Sequence, residues 1–572
     1  MDSSSLIQEL EEILKLEEKR IRSSTLASGQ MSLIELSRSM DSYFIGANFR
    51  NESNKDKDIY SYLDQLYRYG WTQAIRIFFD NSTLQEGVPF YKTNSSFSDW
   101  ADSVIQACGR LAMAIQIVNF CKRGLAVPVR KEGNDYYIKI SPARIRGVES
   151  LEREEFNWMT DFIYNTFQKD SYKILKQVIP NISAVMKDKV YVWKDDFMGY
   201  DSTPEIDEYF LQVALLKAQK FIGNDSFPGD AKFGDIEFNH LKAAIVALIS
   251  FSIKHTSFCF KLIEKNPKIR IRNIINNFQT IDYVAESLSL ALEIEKEKAL
   301  KILDLFILDN ANTNTHCEDI NGAPAPFIRI AKNMIMYSTV GFISGNPFLF
   351  MLKELKKKYP SDWDKAQNQR EDVFRKELYQ LFPSDHYIKL DRPIIIKTSG
   401  KVVSDIDGFI FDKRTGTLGL FQLKWQEPYA NSIRERESRK KNFIRKSNSW
   451  IEAVLEWTKD KSPNDLAKAF GVGVSELKGL KKIVLFVIGR NSAHFTGNEV
   501  PDERVAWGLW PHILRIFSEI NLNDKMFFEN PILWLYESLK SNSPTLKKID
   551  VKNTEELIFG KYKLIIKLDE WV

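Results

Sequence analysis

Residues 404–411 read SDIDGFIF and residues 420–425 read LFQLKW, with the turn-rich DKRTGT at 412–417 between them. Both apolar runs are strand-like, and the intervening Gly and Thr mark a hairpin. Side chains alternate along a strand, so Asp405 and Asp407 share one face, as do Gln422 and Lys424 on the next strand. Centring the turn at Arg414–Thr415 places opposite each other residues whose numbers sum to 829. Asp407 then faces Gln422, and Asp405 faces Lys424. Directly opposed Cβ atoms lie roughly 4.5–5.5 Å apart. The expected hairpin therefore gathers two carboxylates, an amide and an ammonium in one patch.

That patch suits phosphodiester chemistry. A hard divalent cation needs oxygen ligands, which Asp407, Gln422 and Asp405 can supply. Such a cation lowers the pKa of a bound water and neutralises charge growing on a phosphate. Lys424 is placed to orient that water or to stabilise the oxyanion. Immediately downstream, SIRERESRKKNFIRK (432–446) sets Arg434, Arg436, Arg439, Lys440, Lys441, Arg445 and Lys446 against only Glu435 and Glu437. The functional reading of this cluster is phosphate contact without base readout; the plainer one is a solvated helix face.

Outward from the hairpin, the order of elements is α-β-β-β-α-β. Asp362–Phe382 reads as a helix, with Phe374 and Leu378 on one face and Pro383 after its end. Tyr387–Lys397 is extended, Val402–Phe411 and Leu418–Trp425 are strands, and Ile433–Trp457 is a long basic helix. Lys482–Ile488 (KIVLFVI) is an uninterrupted apolar run, expected as a strand covered on both faces. This pattern predicts an α/β domain with a central mixed sheet.

This order, with an Asp on the second strand and Gln-x-Lys on the third, resembles the PD-(D/E)xK nuclease superfamily. The Gln-x-Lys form is similar to Mrr-type restriction nucleases, and Gln422 departs from the commoner acidic residue. The resemblance covers about residues 361–490. It implies a metal-dependent endodeoxyribonuclease using Mg²⁺ or Mn²⁺, with Asp407, Gln422 and Lys424 as the catalytic set. It also implies a Glu from the first helix; Glu371, in the stripe of Phe374 and Leu378, is preferred over Glu377. Restriction or antiviral defence is the setting the resemblance implies. The alternatives are a catalytically inactive nucleic-acid-binding module on a helical scaffold, or a scaffold built for protein contacts.

The chain has 572 residues, 44% of them hydrophobic and 27% charged, an ordinary globular composition that excludes disorder and disulfide-stapled miniproteins. The formal net charge of +4 is unevenly spread. Residues 341–572 hold 39 Lys and Arg against 31 Asp and Glu, and residues 1–340 hold 41 against 45. The basic part points toward a polyanionic partner.

Residues 1–340 read as a mainly helical region of unassigned role, with regulation or sensing as the expectation and a homo-oligomer or protein partner as its use. Helical periodicity marks Leu6–Ile21, Ala101–Lys122, Glu205–Phe221, His240–Ile263 and Thr280–Leu308. Tyr136–Ile140 and Val190–Trp193 read as short strands. Asn310–Pro326 reads as a loop, and its run His316-Cys317-Glu318-Asp319 is hard to converge on one metal. The boundary is expected near residue 340, with a nuclease-like domain over 341–572.

Lesser signals carry less. NDLAKAFGVGVSELK (464–478) fits a helix-turn-helix locally, but a short helical excursion before the strand at 482 fits better. Trp450 and Trp457, seven apart on one helix, read as core. Arg490, His494 and His512 receive no catalytic role. Cys108, Cys121, Cys259 and Cys317 form no CxxC pair, which favours a reducing compartment. The longest nearly apolar run, Ala243–Ile253, falls short of the about 20 residues a bilayer needs, so no membrane span is expected. The acidic N-terminal stretch lacks the basic and apolar regions of a secretory signal, and a cytoplasmic setting is expected.

Overall fold

The computed structural model describes residues 3–26, 28–47, 57–79, 84–88, 90–140, 150–317, 324–427, 438–495, 499–520, 524–542 and 554–568. It is a mixed α/β protein with a helical N-terminal region and mixed sheets.

Four helices open the chain: Ser3–Arg22 (α1), Gly29–Ala47 (α2), Lys57–Phe78 (α3) and Ser95–Lys122 (α4). Helices α3 and α4 cross at reciprocal glycines. A Cβ on Gly70 would lie 2.0 Å from the Ile105 carbonyl oxygen, and one on Gly109 would lie 2.2 Å from that of Leu66. Only glycine permits this approach. Strands Ala126–Glu132 (β1) and Asp135–Ile140 (β2) follow as a hairpin. Then come helices Ser150–Ile163 (α5), Pro204–Ala218 (α6) and Phe238–Lys265 (α7). By length and composition alone α4 and α7 could cross a membrane, yet 56% of the most apolar window of each is buried within the protein. The apolar run Ala243–Ile253 lies inside α7.

A four-stranded sheet is built from Phe278–Thr280 (β3), Ile307–Leu308 (β4), Phe327–Arg329 (β5) and Met334–Tyr337 (β6), in the order β3-β6-β5-β4. The helix expected over Thr280–Leu308 is in fact split into Ile281–Leu292 (α8), Lys296–Leu303 (α9) and strand β4. Glu293 takes φ 53°, a left-handed cap that stops α8, and α9 starts afresh three residues later. The expected loop over Asn310–Pro326 begins instead with a helix, Asn310–Cys317 (α10). His316 on that helix is buried, bonds Glu354 at 2.9 Å and stacks on Phe350. It is a packed core histidine; Glu318 and Asp319 lie outside the described residues.

Two helices, Pro347–Lys358 (α11) and Pro360–Gln380 (α12), lead into the second sheet. Its strands and their neighbours are Tyr387–Lys389 (β7), Ile394–Thr398 (β8), Lys401–Ile406 (β9), Gly408–Asp412 (β10) and Thr417–Lys424 (β11). Helices Lys446–Lys459 (α13) and Pro463–Phe470 (α14) come next, then Lys482–Gly489 (β12), Ala506–Leu509 (β13), Trp510–Ser518 (α15) and Pro531–Ser541 (α16). The sheet order is β7-β10-β11-β12-β13. The β7, β10 and β11 pairings are antiparallel, and β12 and β13 add in parallel. Inward positions alternate between two cores. Phe409, Phe411, Leu418, Leu420, Leu485 and Val487 pack with α13 and α14. Ile410, Phe421, Leu423, Phe486 and Ile488 pack with α12, α15 and α16. That two-sided burial is why β12 is uniformly apolar. Segment 463–470 is a capped single helix that ends at Gly471 in the left-handed region, and Trp450 and Trp457 are core residues.

The expected boundary near residue 340 is crossed by the chain itself. The last two strands, Thr554–Phe559 (β14) and Tyr562–Leu568 (β15), complete the N-terminal sheet in the order β1-β2-β15-β14, with β15 parallel to β2. Side chains also bridge the two parts. Glu155 on α5 accepts bonds from Ser492 Oγ at 2.9 Å and from His494 N at 3.1 Å and Nδ1 at 2.8 Å.

Candidate active site

The β10–β11 hairpin positions the candidate residues. Gly408 pairs with Phe421, Phe409 with Leu420, Ile410 with Gly419, Phe411 with Leu418 and Asp412 with Thr417, so every pair sums to 829 as the turn chemistry predicted. The turn is tightened by Asp412 Oδ1, which accepts from Arg414 N at 2.9 Å. Gly416 sits at φ +71°, with the Gly479 carbonyl oxygen 2.1 Å from where a Cβ would be. No other residue fits there without moving the backbone.

The ladder ends at Gly408; Asp407 N donates to Phe421 O at 3.0 Å, one residue out of the 829 register, and it is the Asp407 side chain that meets Gln422. Gln422 Nε2 donates to Asp407 Oδ2, which also accepts from Leu423 N at 2.8 Å. Asp407 and Gln422 are both buried. Lys424, two residues further along the face of Gln422, is half-buried and close enough to act on Asp407 electrostatically. Burial pushes the Asp407 carboxyl up to about 7; the Lys424 ammonium opposes this, and the carboxylates of Glu371 and Asp405 add to it.

The strand expected over Val402–Phe411 breaks at Asp407. Strand β9 leaves the ladder and pairs with β8, which puts Asp405 opposite Ile395 and not opposite Lys424. Two side chains hold the break. Buried Arg375 on α12 donates from Nε to the Asp407 carbonyl and from Nη1 to Asp372 and to Asp391 O. Trp450 Nε1 donates to Asp405 O at 2.6 Å. Asp405 remains near Asp407 by charge, with its side chain exposed.

Of the two helix candidates, Glu371 is the one beside Asp407. It lies in the stripe of Phe374 and Leu378, yet its side chain is exposed and does not point inward as expected. Glu377 is taken by Arg490, whose Nε also donates to Asp225 at 3.0 Å and whose guanidinium lies 4.3 Å from the Trp425 ring centre.

The basic cluster is only partly open. Arg434 and Arg436 lie outside the described residues. Arg439 donates to the Glu427 carbonyl at 2.7 Å, and Arg445 pairs with Glu499 at 2.7 Å. Lys440 is partly buried, while Lys441 and Lys446 are exposed. Glu427, three residues after Lys424, also accepts from Lys356 and Gln367, each at 2.9 Å. Sequence reading missed Arg375 and Glu427, and gave Arg490 no role. Only Arg490 carries a sequence cue, as a charge placed directly after an apolar strand.

Among the described residues no three His, Cys, Asp or Glu side chains stand together as a ready metal cage. Mg²⁺ commonly binds through one or two carboxylates while keeping several waters. The donors available here are the buried Asp407 carboxylate and the Gln422 amide, with the exposed carboxylates of Glu371 and Asp405 acting on Asp407 electrostatically. Like charge acting on a buried carboxylate is what a cation relieves. No protein-family model, curated protein or solved structure matches the chain.

Proposed function

We propose that this protein is a metal-dependent endonuclease of the PD-(D/E)xK kind, hydrolysing DNA phosphodiester bonds. The observation that carries the reading is the buried, hydrogen-bonded pair of Asp407 and Gln422 with Lys424 further along the same strand face, on a hairpin backed by α12. Asp407 and the Gln422 amide oxygen would hold the Mg²⁺ or Mn²⁺, with Asp405 and Glu371 next to them. When bound, the cation would supply an activated water and charge neutralisation at the phosphate. Lys424 would orient the attacking water or stabilise the negative charge on the oxygens of the pentavalent phosphate, from a partly desolvated position where its charge acts strongly. Arg375 positions Asp407 by holding its carbonyl. Lys441 and Lys446 are free to meet flanking phosphates.

The helical region fits a regulatory role, because Glu155 and Asp225 reach the segment 490–494 that follows β12. A cytoplasmic setting in restriction or antiviral defence accords with this reading. One observation favours a catalytically inactive nucleic-acid-binding module instead: Gln422 turns its amide N–H, and not its oxygen, toward Asp407. Incubation of the full-length protein with duplex DNA, single-stranded DNA and RNA, each with Mg²⁺, Mn²⁺ or EDTA, separates the two. The proposal expects DNA cleavage that EDTA abolishes; binding without cleavage in any metal supports the inactive module.

A further inference from the structure

The β8–β9 ribbon that leaves the sheet at Asp407 has one face covered and one face open. Ile394, Ile396 and Ile406 pack with Trp450, Val454 and Trp457 of α13. Trp457 Nε1 donates to Lys397 O at 3.0 Å, so together with the Trp450 bond to Asp405 O it pins the ribbon along the helix at two points. The strands close at Ser399 and Gly400, both at positive φ (50° and 81°), the tight two-residue turn that keeps a ribbon narrow to its tip.

The open face alternates with the covered one. It carries Ile395, 56% exposed, then Lys397 and, across from it, Val402, 65% exposed. Val403 is exposed at the bulge and Lys401 beside the tip. Lys397 and Lys401 form no ion pair among the described residues. Asp405, whose charge acts on Asp407, stands on the same face across from Ile395, so the open surface is continuous with the candidate site. Lys446, the first residue of α13, lies one turn before Trp450 and so at the base of the ribbon.

We propose that the open face of this ribbon enters the major groove of a DNA duplex seated on the Asp407 site. Aliphatic side chains between unpaired cations match a groove, which offers base edges and thymine methyls at its floor and phosphates along its walls. From Asp405 to the turn the strand spans roughly 20 Å at about 3.3 Å per residue, or about six base pairs of duplex, so DNA held at Asp407 lies within its reach. Two strands about 4.8 Å apart with their side chains fit the about 12 Å major groove and not the about 6 Å minor groove. A helix covering the other face leaves the ribbon rigid and ready to dock. The inference rests on the reading of the Asp407 patch as a nucleic-acid site. It makes B-form duplex DNA the substrate, because the major groove of A-form RNA is too narrow to be read and a single strand has no groove.

Fluorescence anisotropy of the full-length protein in EDTA, with duplex DNA, duplex RNA and single-stranded DNA of one sequence, tests this beside cleavage in Mg²⁺. Duplex DNA should bind at least about tenfold more tightly than duplex RNA. Replacing Lys397 and Lys401 together with Ala should weaken duplex DNA at least about tenfold and lower its salt slope by about 2. Val402→Asp, which sets a carboxylate against the groove, should weaken it as much. All three positions are exposed, so circular dichroism should be unchanged, and single-stranded DNA should bind within about threefold of wild type. Methylation of guanine N7, which lies in the major groove, should interfere with wild-type binding. Ribbon-dependent binding without cleavage in any metal would uphold the ribbon and sink the nuclease reading. Wild-type cleavage with both variants binding duplex DNA like wild type, as a protein-docking face would give, would overturn the ribbon alone. So would equal affinity for duplex RNA or indifference to N7 methylation. No binding of duplex DNA at about 0.1 mM protein would overturn both.

Discussion

Asp41 and Asp407 are both buried aspartates, and burial pushes both carboxyls up to about 7. Their surroundings differ. Asp41, on α2, accepts from Thr339 N and Val340 N at 2.9 Å each and from Asn276 Nδ2 at 2.6 Å, and every neighbour named there is a donor that favours its charge. It is a closed structural joint between α2 and the turn after β6. Asp407 has two donors on one oxygen, and the charges of Lys424, Glu371 and Asp405 act on it electrostatically. A pKa alone does not separate structure from function. The kind of neighbour differs: Asp41 meets only donors, whereas the charges acting on Asp407 are of both signs.

That contrast can be broken by substitution. The largest effect is expected at Asp407→Ala, which should reduce metal-dependent cleavage by at least about 10²–10³-fold and also lower the melting temperature in EDTA, because the Leu423 N–H and the Gln422 amide lose their acceptor. A variant that cleaves normally would make Asp407 a second joint.

Asp41→Leu should act on stability alone. It orphans the Thr339 and Val340 N–H groups and should cost roughly 3 kcal/mol of stability, read by denaturant titration, with cleavage intact in the protein that remains folded. Its titration has a sign. Folded Asp41 holds its proton more tightly than the unfolded chain does, so its contribution is full below about pH 4 and is lost as pH rises through about 7. The melting temperature in EDTA should fall between pH 5 and 8, less steeply in Asp41→Asn.

Two smaller effects sharpen the comparison. Replacing Lys441 and Lys446 with Ala should weaken DNA binding several-fold, alike across sequences, and flatten its salt dependence. Loss confined to one sequence would mean base readout. Gln422→Glu should keep cleavage within about tenfold of wild type, since it restores an acidic ligand; complete loss would mean that the amide donor to Asp407 is required.

The hairpin register was legible because two local rules agree. Turn residues centre it at Arg414–Thr415, and alternation then assigns each face. The break at Asp407 was not legible, since it depends on Arg375 and Trp450 arriving from other helices. Glu293 gave no sign of the left-handed turn that divides 280–308; the apolar period runs through it. The pairing of β15 with β2 was hidden as well. It joins residues over 400 apart, and a parallel pairing of distant strands leaves no turn signal in the sequence. The expected separation at residue 340 failed for that reason. The assignment of Glu371 over Glu377 rested on a helical stripe, which gives direction but not depth.

The central claim is that Lys424 acts on a phosphate held at Asp407. It is tested most directly by single-turnover cleavage of duplex DNA in Mg²⁺ and in EDTA, comparing wild type with Lys424→Ala and measuring DNA binding in parallel. The account expects EDTA-sensitive cleavage in wild type, a fall of at least about 10²-fold in Lys424→Ala, and DNA affinity within about threefold, since one ammonium among many basic groups adds little. Cleavage that persists in EDTA, or that is unchanged in Lys424→Ala, would contradict it.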